Sequence, residues 1–271
     1  MKKVLAFALT LLLTLGAVMG LTACNNTSNE DGLTGDLKAV KDAGKIIVGI
    51  TDYAPMDYKD SNGKWIGFDA ELAEKFAQEL GVTCEFVEIV DWNNKVAEIN
   101  SRQIDLIWNG MTADEELGKQ IDFSVSYAKN AQVAVVLKNS TITTKDQIKT
   151  ATVAVENGSA GQKVTVAEGF TNVSAPGNQK QALIEVKSGN SQVAIIDLTM
   201  AQSLVGKGEF DTLKIVEGVS YGDEIFAVGL RKGSNLKEKL DDFLYAQFEN
   251  GTITALANTY TVGINTEALT K

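Results

Sequence analysis

Short apolar segments rich in β-branched residues alternate with amphipathic helical segments along this chain, and the alternation runs twice. The predicted strands of the two series lie at residues 45–50, 82–90 and 104–108, and then at residues 151–155, 171–174 and 193–196. Strands that are separated by single helices are typical of βαβ units. The sequence therefore predicts two open, mostly parallel sheets with flanking helices.

Two further extended runs, residues 131–137 and 225–230, flank the second series. We therefore expect the chain to leave a first lobe, build a second lobe and return through a two-stranded hinge. This predicts a two-lobed α/β fold, with lobe 1 formed by residues 36–129 and 225–271 and lobe 2 by residues 130–224. Open sheets bind ligands in the crevice at the carboxyl ends of their strands, so we expect the binding site between the lobes.

The composition excludes several classes of function. Acidic residues outnumber basic ones by 35 to 25, which argues against nucleic acid as the main partner. The chain contains no histidine, which removes histidine-dependent catalytic triads and histidine-bound zinc. We expect no metal and no organic cofactor.

The N-terminus has the pattern of an export signal. Lys2 and Lys3 precede a long uncharged apolar stretch, and the sequence Leu21-Thr22-Ala23-Cys24 follows it. These four residues resemble the bacterial lipobox, which implies cleavage after residue 23 and acylation of Cys24. The prediction is a signal peptide at residues 1–23 and a polar tether at residues 24–35, with the domain lipid-anchored on the outer side of the cell membrane. The alternative is an ordinary secretion signal with an incidental cysteine.

Several short motifs, in this order and at these spacings, resemble one protein family. The motifs are Trp65, Gly67-Phe68-Asp69, Ile104-Asp105-Leu106-Ile107, Asp122-Phe123-Ser124, and Val153-Ala154-Val155 followed by Gly158-Ser159. Together they resemble the extracellular solute-binding proteins of family 3, which bind polar amino acids for ABC importers. The resemblance covers about residues 36–269. It implies the type II periplasmic-binding-protein fold, which is open when empty and closed around its ligand.

The resemblance assigns two aromatic residues of lobe 1 to the ligand. Tyr53 matches an aromatic that packs on one face of the ligand's side chain, and Trp92 matches the aromatic on the opposite face. Two such rings can hold an aliphatic stem or a cation. The alternatives are a loop aromatic on the surface for Tyr53 and a core anchor for Trp92.

Five more positions match ligand-binding positions of the family. Asn109, Gly110 and Thr112 match the segment whose backbone and hydroxyl groups face the ligand's α-amino and α-carboxylate groups. Ser159 matches a residue at a helix N-terminus that receives the carboxylate. Asp197 matches the acid that receives the ligand's ammonium group, and its alternative role is a helix N-cap.

One position departs from the family pattern. Five residues after Thr112 the family carries an arginine that grips the α-carboxylate through two parallel hydrogen bonds, whereas this chain has Leu117. Three readings follow. The Ser159 helix end and Thr112 receive the carboxylate, with Lys119 reaching in; or the ligand is an amine or amide without a free carboxylate; or the protein has lost transport binding.

The function that the resemblance implies is that of a membrane-anchored solute-binding component of an ABC importer. Its partners would be a polar amino acid or related small amine and an ABC permease, and we expect a monomer without enzymatic activity. Two rivals remain. One is an enzyme similar to cyclohexadienyl dehydratase, which uses the same scaffold, and the other is a ligand-sensing lipoprotein without a transport role.

Overall fold

The computed structural model of the chain describes residues 34–270. The predicted signal segment at residues 1–23, the predicted acylation site Cys24 and the predicted tether up to residue 33 lie outside the described residues. The first helix already begins at Gly35, where the predicted tether ends. None of the helices within residues 34–270 combines the length and apolar character that crossing a bilayer requires.

Helices and strands alternate along the described chain. The α-helices are α1 (Gly35–Ala43), α2 (Phe68–Glu79), α3 (Lys95–Asn100), α4 (Glu115–Gly118), α5 (Lys145–Lys149), α6 (Ala160–Ala167), α7 (Gln179–Ser188), α8 (Leu198–Leu204), α9 (Leu236–Glu249), α10 (Thr252–Tyr260) and α11 (Thr266–Leu269). The strands are β1 (Lys45–Ile50), β2 (Tyr58–Lys59), β3 (Trp65–Ile66), β4 (Thr83–Glu88), β5 (Leu106–Ile107), β6 (Asp122–Phe123), β7 (Ala128–Leu137), β8 (Val153–Ala154), β9 (Val173–Ser174), β10 (Val193–Asp197), β11 (Leu213–Phe226) and β12 (Gly229–Leu230). Short 3-10 helices cover Trp92–Asn94 and Gly208–Phe210.

Two five-stranded sheets form the framework of the two lobes. The first sheet has the order β4-β1-β5-β12-β6, in which β1 runs parallel to both β4 and β5. The second sheet has the order β11-β7-β10-β8-β9, in which β8 runs parallel to both β10 and β9. The predicted two-lobed α/β fold with open sheets and flanking helices is confirmed. The prediction that the sheets are mostly parallel is wrong, because β12 pairs antiparallel with β5 and β6, and β7 pairs antiparallel with β10 and β11.

The long antiparallel pair of β7 and β11 connects the two sheets. Both strands belong to the second sheet, and their ends at Ala128 and Phe226 pair with each other. Next to this pair, the backbone N–H of Ala113 donates to the carbonyl of Ile225 at 2.9 Å, which ties β11 to the segment after β5 of the first sheet. The predicted single run at residues 225–230 is wrong in detail, because β11 ends at Phe226 and Gly229–Leu230 forms β12 of the first sheet.

Asp69 has a different role from the helix cap that its position suggests. Helix α2 begins at Phe68, and its N-cap residue is Gly67. It is fully buried, and its Oδ2 accepts from the backbone N–H of Gly110 at 2.6 Å and from the hydroxyl of Tyr127 at 2.8 Å. Asp69 therefore fixes the segment that follows β5.

A buried arginine joins the N-terminal helix to the first sheet. The Arg231 guanidinium donates to Asp36 at 3.0 Å and to Asp105 at 3.0 Å. It also donates to the carbonyl oxygens of Ile99 and Ile104 at 3.0 and 2.7 Å. Every one of these partners lies in or next to α1, α3 or β5, so the arginine fixes the elements from which one wall of the cleft is built.

Candidate ligand-binding cleft

A cavity of about 340 Å³ lies between the segments that follow strands of the first sheet and those that follow strands of the second. All eight sequence-predicted ligand residues line this cavity; they are Tyr53, Trp92, Asn109, Gly110, Thr112, Leu117, Ser159 and Asp197. The first six come from the side of the first sheet, and the last two from the side of the second. The structure thus brings the whole predicted set together, while its role in binding stays a prediction.

The two aromatic residues are held by local structure. Tyr53 follows β1, its backbone N–H donates to the carbonyl of Asp57 at 2.7 Å, and its ring packs edge-on against Phe226. Trp92 begins a 3-10 helix whose cap, Asp91, accepts from the N–H of Asn93 at 3.0 Å. Both aromatic side chains are buried and line the cavity, so neither is a surface filler.

In the segment after β5, several hydrogen-bonding groups already bond to other residues of the protein. The side-chain amide of Asn109 accepts from the N–H of Thr51 at 2.7 Å and donates to its hydroxyl at 2.7 Å. The N–H of Gly110 donates to Asp69, and the hydroxyl of Thr112 donates to Glu224 at 3.0 Å. This segment therefore shapes the wall of the cavity, and the N–H of Gly110 is not free to donate to a ligand.

Leu117 presents an apolar side chain where the family has a guanidinium. It lies in the one-turn helix α4, which Asp114 caps by accepting from the N–H of Leu117 at 2.8 Å, and it packs with Trp92 and Met111. Lys119 lies just after α4, is exposed, and pairs with Glu116 at 3.6 Å. Lys119 does not line the cavity, so the expectation that it reaches in is wrong.

Ser159 caps the N-terminus of α6. Its Oγ accepts from the backbone N–H of Gln162 at 3.1 Å, and the side chain of Gln162 in turn accepts from the N–H of Gly158 at 2.8 Å. First-turn N–H groups such as that of Ala160 have no acceptor inside the helix. Because Ala160 lines the cavity, the positive end of α6 faces it.

Asp197 sits at the carboxyl end of β10 with three amide donors around its carboxylate. Oδ1 accepts from Asn130 at 2.7 Å and from Gln132 at 2.5 Å, and Oδ2 accepts from Gln179 at 2.5 Å. Burial raises the pKa of Asp197, whereas the amide donors and the nearby hydroxyl of Tyr53 lower it. The side chain does not cap α8, so the alternative role as an N-cap applies only to the backbone of Asp197.

Two further acids stand near Asp197, and the sequence analysis missed both. Glu224 Oε2 accepts from the same amide groups, Asn130 at 2.9 Å and Gln132 at 3.0 Å. Glu156 lines the cavity with 6% of its surface exposed, and burial, followed by the charge of Asp197, raises its pKa to about 8. A polar residue directly after a buried parallel strand is the signal by which Glu156 was predictable.

Lys95 is a further cavity residue that the sequence analysis missed. Only 9% of its surface is exposed, and its ammonium donates to the carbonyls of Trp92 at 3.0 Å and Gly158 at 3.2 Å. The ammonium lies 4.8 Å from the centre of the Trp92 ring, so a cation already covers one face of that ring. Burial, followed by the charge of Lys163, lowers the pKa of Lys95 to about 8.

Comparison with known families assigns the fold and the cleft to one group of proteins. The family described as bacterial extracellular solute-binding proteins, family 3, matches residues 46–263. The chain belongs to this family. The family resemblance that the sequence motifs indicated is therefore confirmed.

Relatives of this family 3 protein match it along most of its length. The arginine-binding extracellular protein ArtP of Bacillus subtilis (strain 168) is 30% identical over 268 residues, which is 94% of this chain and 98% of that protein. Among solved structures, a mutant of ArgBP from T. maritima has a TM-score of 0.78 at 28% identity and covers 83% of this chain and 98% of its own. The ancestral amino acid-binding protein AncCDT-1, a precursor of cyclohexadienyl dehydratase, has a TM-score of 0.77 at 26% identity, with the same coverage.

The charges of the cavity in this family 3 protein are unbalanced. The carboxylates that line it belong to Asp114, Glu116, Glu156 and Asp197, whereas the cations that line it belong to Lys95 and Lys163. Lys163 and Asp114 already pair with each other at 2.5 Å. Glu116 also pairs with Lys119, so Glu156, Asp197 and Lys95 remain. Because the pKa of Glu156 is about 8, this acid is mostly protonated at neutral pH, and Asp197 is the group best placed to receive a positively charged part of a ligand.

Proposed function

We propose that this family 3 protein is the extracytoplasmic solute-binding component of an ABC importer, and that it binds a polar amino acid or a related small amine between its lobes. We also propose that Cys24 carries the lipid anchor after removal of residues 1–23, and that an ABC permease receives the ligand. The lobes would comprise residues 36–129 with 225–271, and residues 130–224.

The observation that carries the proposal is the position of Asp197 on the same cavity as Tyr53 and Trp92. A buried carboxylate with three amide donors is held in one orientation and keeps room to accept from a ligand. An ammonium group is the ligand feature that such a carboxylate binds best. The aromatic rings would pack against the carbon atoms beside that ammonium.

The two neighbouring acids Glu156 and Asp197 support a ligand with at least one positive charge. After burial, the charge of Asp197 is the next cause that raises the pKa of Glu156. A cationic ligand relieves this repulsion when it binds. The names of relatives such as the arginine-binding protein ArtP agree with a ligand of this kind.

Closure of the two lobes would couple binding to transport. Asp114 follows β5 of the first sheet and pairs with Lys163 in α6, which packs on the second sheet. Lys95 of α3 bonds to the carbonyl of Gly158, which precedes α6. A ligand that touches both sides binds the closed form more tightly and shifts the population toward it, which gives the permease a loaded state to recognise.

A thermal-shift screen tests the proposed binding. The purified mature protein would be mixed with amino acids, amines, amides and short peptides. At a ligand concentration one hundred times its dissociation constant, the folded state gains about 2.7 kcal/mol, which gives a clear rise in melting temperature. We expect at least one amine-bearing compound to produce this rise, and a screen in which none does so contradicts the proposal.

Membrane fractionation tests the proposed anchor. The wild-type protein is expected in the membrane fraction, and the Cys24→Ser variant is expected in the medium or another soluble extracytoplasmic fraction. Wild-type protein that is soluble after cell lysis would contradict lipid anchoring, while leaving the binding proposal intact.

A catalytic role resembling that of cyclohexadienyl dehydratase is the second candidate function. It is favoured by the solved neighbour AncCDT-1 and by Glu156, a cavity carboxyl whose pKa of about 8 suits proton transfer near neutral pH. Incubation with prephenate or arogenate, followed by absorbance of the aromatic product, tests it. Turnover that depends on Glu156 would support the enzyme, and its absence would leave the binding function.

A further inference from the structure

The cavity contains a buried cation at a position that none of the family motifs in this sequence includes. At the position of the carboxylate-gripping arginine stands Leu117, whose side chain packs with apolar neighbours. Lys95, in contrast, is nine-tenths buried, lines the cavity, and sits in the first turn of α3 beside Trp92. This wall of the cavity therefore has a buried cation on α3 and an apolar side chain at Leu117 of α4.

The hydrogen bonds of Lys95 leave part of its ammonium group open. An ammonium has three N–H donors. The carbonyl oxygens of Trp92 and Gly158 accept at 3.0 and 3.2 Å. One N–H is left, and the side chain lines the cavity.

The N-terminus of α6 lies next to this ammonium. Gly158, which accepts from Lys95, directly precedes Ser159, the cap of α6. Ala160, in the first turn of α6, lines the same cavity as Lys95. A fixed positive charge and the positive end of a helix thus converge on one part of the cavity, which is the arrangement that binds a carboxylate.

The other cations near the cleft are engaged elsewhere. Lys163 pairs with Asp114 at 2.5 Å, and Lys119, which does not line the cavity, pairs with Glu116. Lys180 lies near Asp52 and Glu209 at 3.7 and 3.8 Å and does not line the cavity. Of the two cations that line the cavity in the described part of the chain, only Lys95 has no carboxylate within 4 Å.

We propose that Lys95, together with the N-terminus of α6, binds the carboxylate of the ligand. Lys95 would take the role of the arginine that the family pattern has at the position of Leu117. This inference rests on the proposed solute-binding function and makes it more specific, because it requires a ligand with a free carboxylate as well as an ammonium. An ammonium is a point charge without the planar fork of a guanidinium. The site therefore selects for the charge of the carboxylate more than for its orientation.

A purely structural role for Lys95 makes a different prediction. If Lys95 only ties the Trp92 turn to Gly158, its loss weakens every ligand to the same extent, since all ligands need the closed cleft. If Lys95 binds the carboxylate, its loss weakens only the ligands that carry one. The comparison of matched ligands separates the two roles.

The test uses pairs of compounds that differ only by the carboxylate. Suitable pairs are arginine with agmatine, lysine with cadaverine, and histidine with histamine, each measured by isothermal titration calorimetry. For wild-type protein we expect the amino acid of the bound pair to bind at least about tenfold more tightly than its amine, the usual effect of a hydrogen bond to a charged group. In Lys95→Met, the affinity for the amino acid should fall at least about tenfold, and that for the amine should stay within about twofold.

Two further variants complete the experiment. Lys163→Met is the matched control, because it removes the other cavity lysine, whose charge Asp114 already neutralises; it should change the affinities for both members of a pair equally. Adding Leu117→Arg to Lys95→Met should restore the preference for the amino acid.

Equal weakening of both members by Lys95→Met, or a wild-type protein that binds the amine as tightly as the amino acid, would overturn the inference. Failure of every compound of the wider screen to bind wild-type protein would instead overturn the proposed function, and this inference with it.

Discussion

Gly158 and Asn93 meet across the cleft so closely that a Cβ atom on Gly158 would lie 2.3 Å from the Asn93 side-chain oxygen. Asn93 belongs to the 3-10 helix that carries Trp92, and Gly158 precedes the cap of α6. The two walls of the cavity therefore touch at this position, and a side chain at residue 158 would require the Asn93 side chain to move. The backbone at Gly158 also has a φ of +75°, which disfavours any other residue.

Gly158→Ala is expected to hold the lobes apart. The added methyl group meets Asn93 only when the cleft is closed, so ligand affinity should fall by about tenfold or more while the protein stays folded. Small-angle scattering with saturating ligand should give a larger radius of gyration than for wild type. Gly169→Ala is the control, because its φ is +70° and nothing lies within 4 Å of its Cβ position. Equal affinities of the two variants would contradict this role of Gly158.

The preference for a carboxylate should depend on pH through Lys95. Its ammonium, with a pKa of about 8, faces Lys163, Glu156, Asp114 and Asp91. Below pH 8 the lysine is charged, so the ratio of amino-acid affinity to amine affinity should be high and constant. Above pH 8 the charge is lost in the unliganded protein, and the ratio should fall.

Calorimetry between pH 6.5 and 8.5 with one matched pair measures this ratio. The titrations of Glu156 and Asp197 affect both ligands and largely cancel in the ratio. Lys95→Met should show a low ratio that does not change with pH, and a wild-type ratio that rises above pH 8 would contradict the assignment.

Asp69 should make the protein less stable as the pH rises. Burial raises its pKa to about 7, although the Gly110 N–H and the hydroxyl of Tyr127 oppose the shift, and Asp57 is buried nearby. Because the folded-state pKa lies above the unfolded value, the stability that this proton contributes is fully present below about pH 4 and is lost as the pH rises through 7. Urea denaturation should therefore give a lower free energy of unfolding at pH 8 than at pH 5.

The Asp69→Asn variant isolates this contribution. Its amide oxygen still accepts from Gly110, but the group no longer titrates, so the loss of stability between pH 5 and 8 should shrink by on the order of 1–3 kcal/mol. Asp211→Asn, at an exposed position, should leave the pH dependence unchanged. If the unfolding free energy of Asp69→Asn fell with pH as steeply as that of the wild type, Asp69 would not be the group responsible.

Two arginines that bind the same aspartate should differ greatly in their effect on stability. Arg231 and Arg102 both pair with Asp36, at 3.0 and 2.6 Å, but their side chains are 8% and 62% exposed. Arg231→Met leaves Asp36 and Asp105 without their buried partner and should cost about 3–5 kcal/mol of unfolding free energy. Arg102→Met should cost less than about 1 kcal/mol, as for other exposed pairs. Similar midpoints in urea would contradict this difference.

The strand and helix order was predictable because the apolar periodicity of each element is local. Of the long hinge strand β11 (Leu213–Phe226), the sequence predicted only the last two residues, within the run at residues 225–230. Its register with β7 shifts between Ile215 and Ser220 and again between Ser220 and Asp223, which breaks the alternation of inward and outward side chains. The buried role of Asp69 was not predictable, because its partner Gly110 is distant in sequence.

The predicted ligand residues came from motif positions, and all of them line the cavity. The place of Lys95 in the cavity was not predictable, because a lysine in a helix is normally exposed. Its burial depends on Gly158, which lies 63 residues later in the chain. The identities of neighbours across a cleft are not encoded in local sequence, so the charge balance of the cavity became visible only in the fold.

Calorimetric titration of the amine-bearing ligand found by the screen, into wild-type protein and into Asp197→Asn, tests the central claim most directly. Asp197→Asn replaces one carboxylate oxygen with an amide nitrogen among the amide donors of Asn130, Gln132 and Gln179 and removes the charge that receives the ammonium. We predict one binding site per wild-type molecule and at least about a hundredfold loss of affinity in the variant, with Asp211→Asn unchanged. Unchanged affinity in Asp197→Asn would contradict the account.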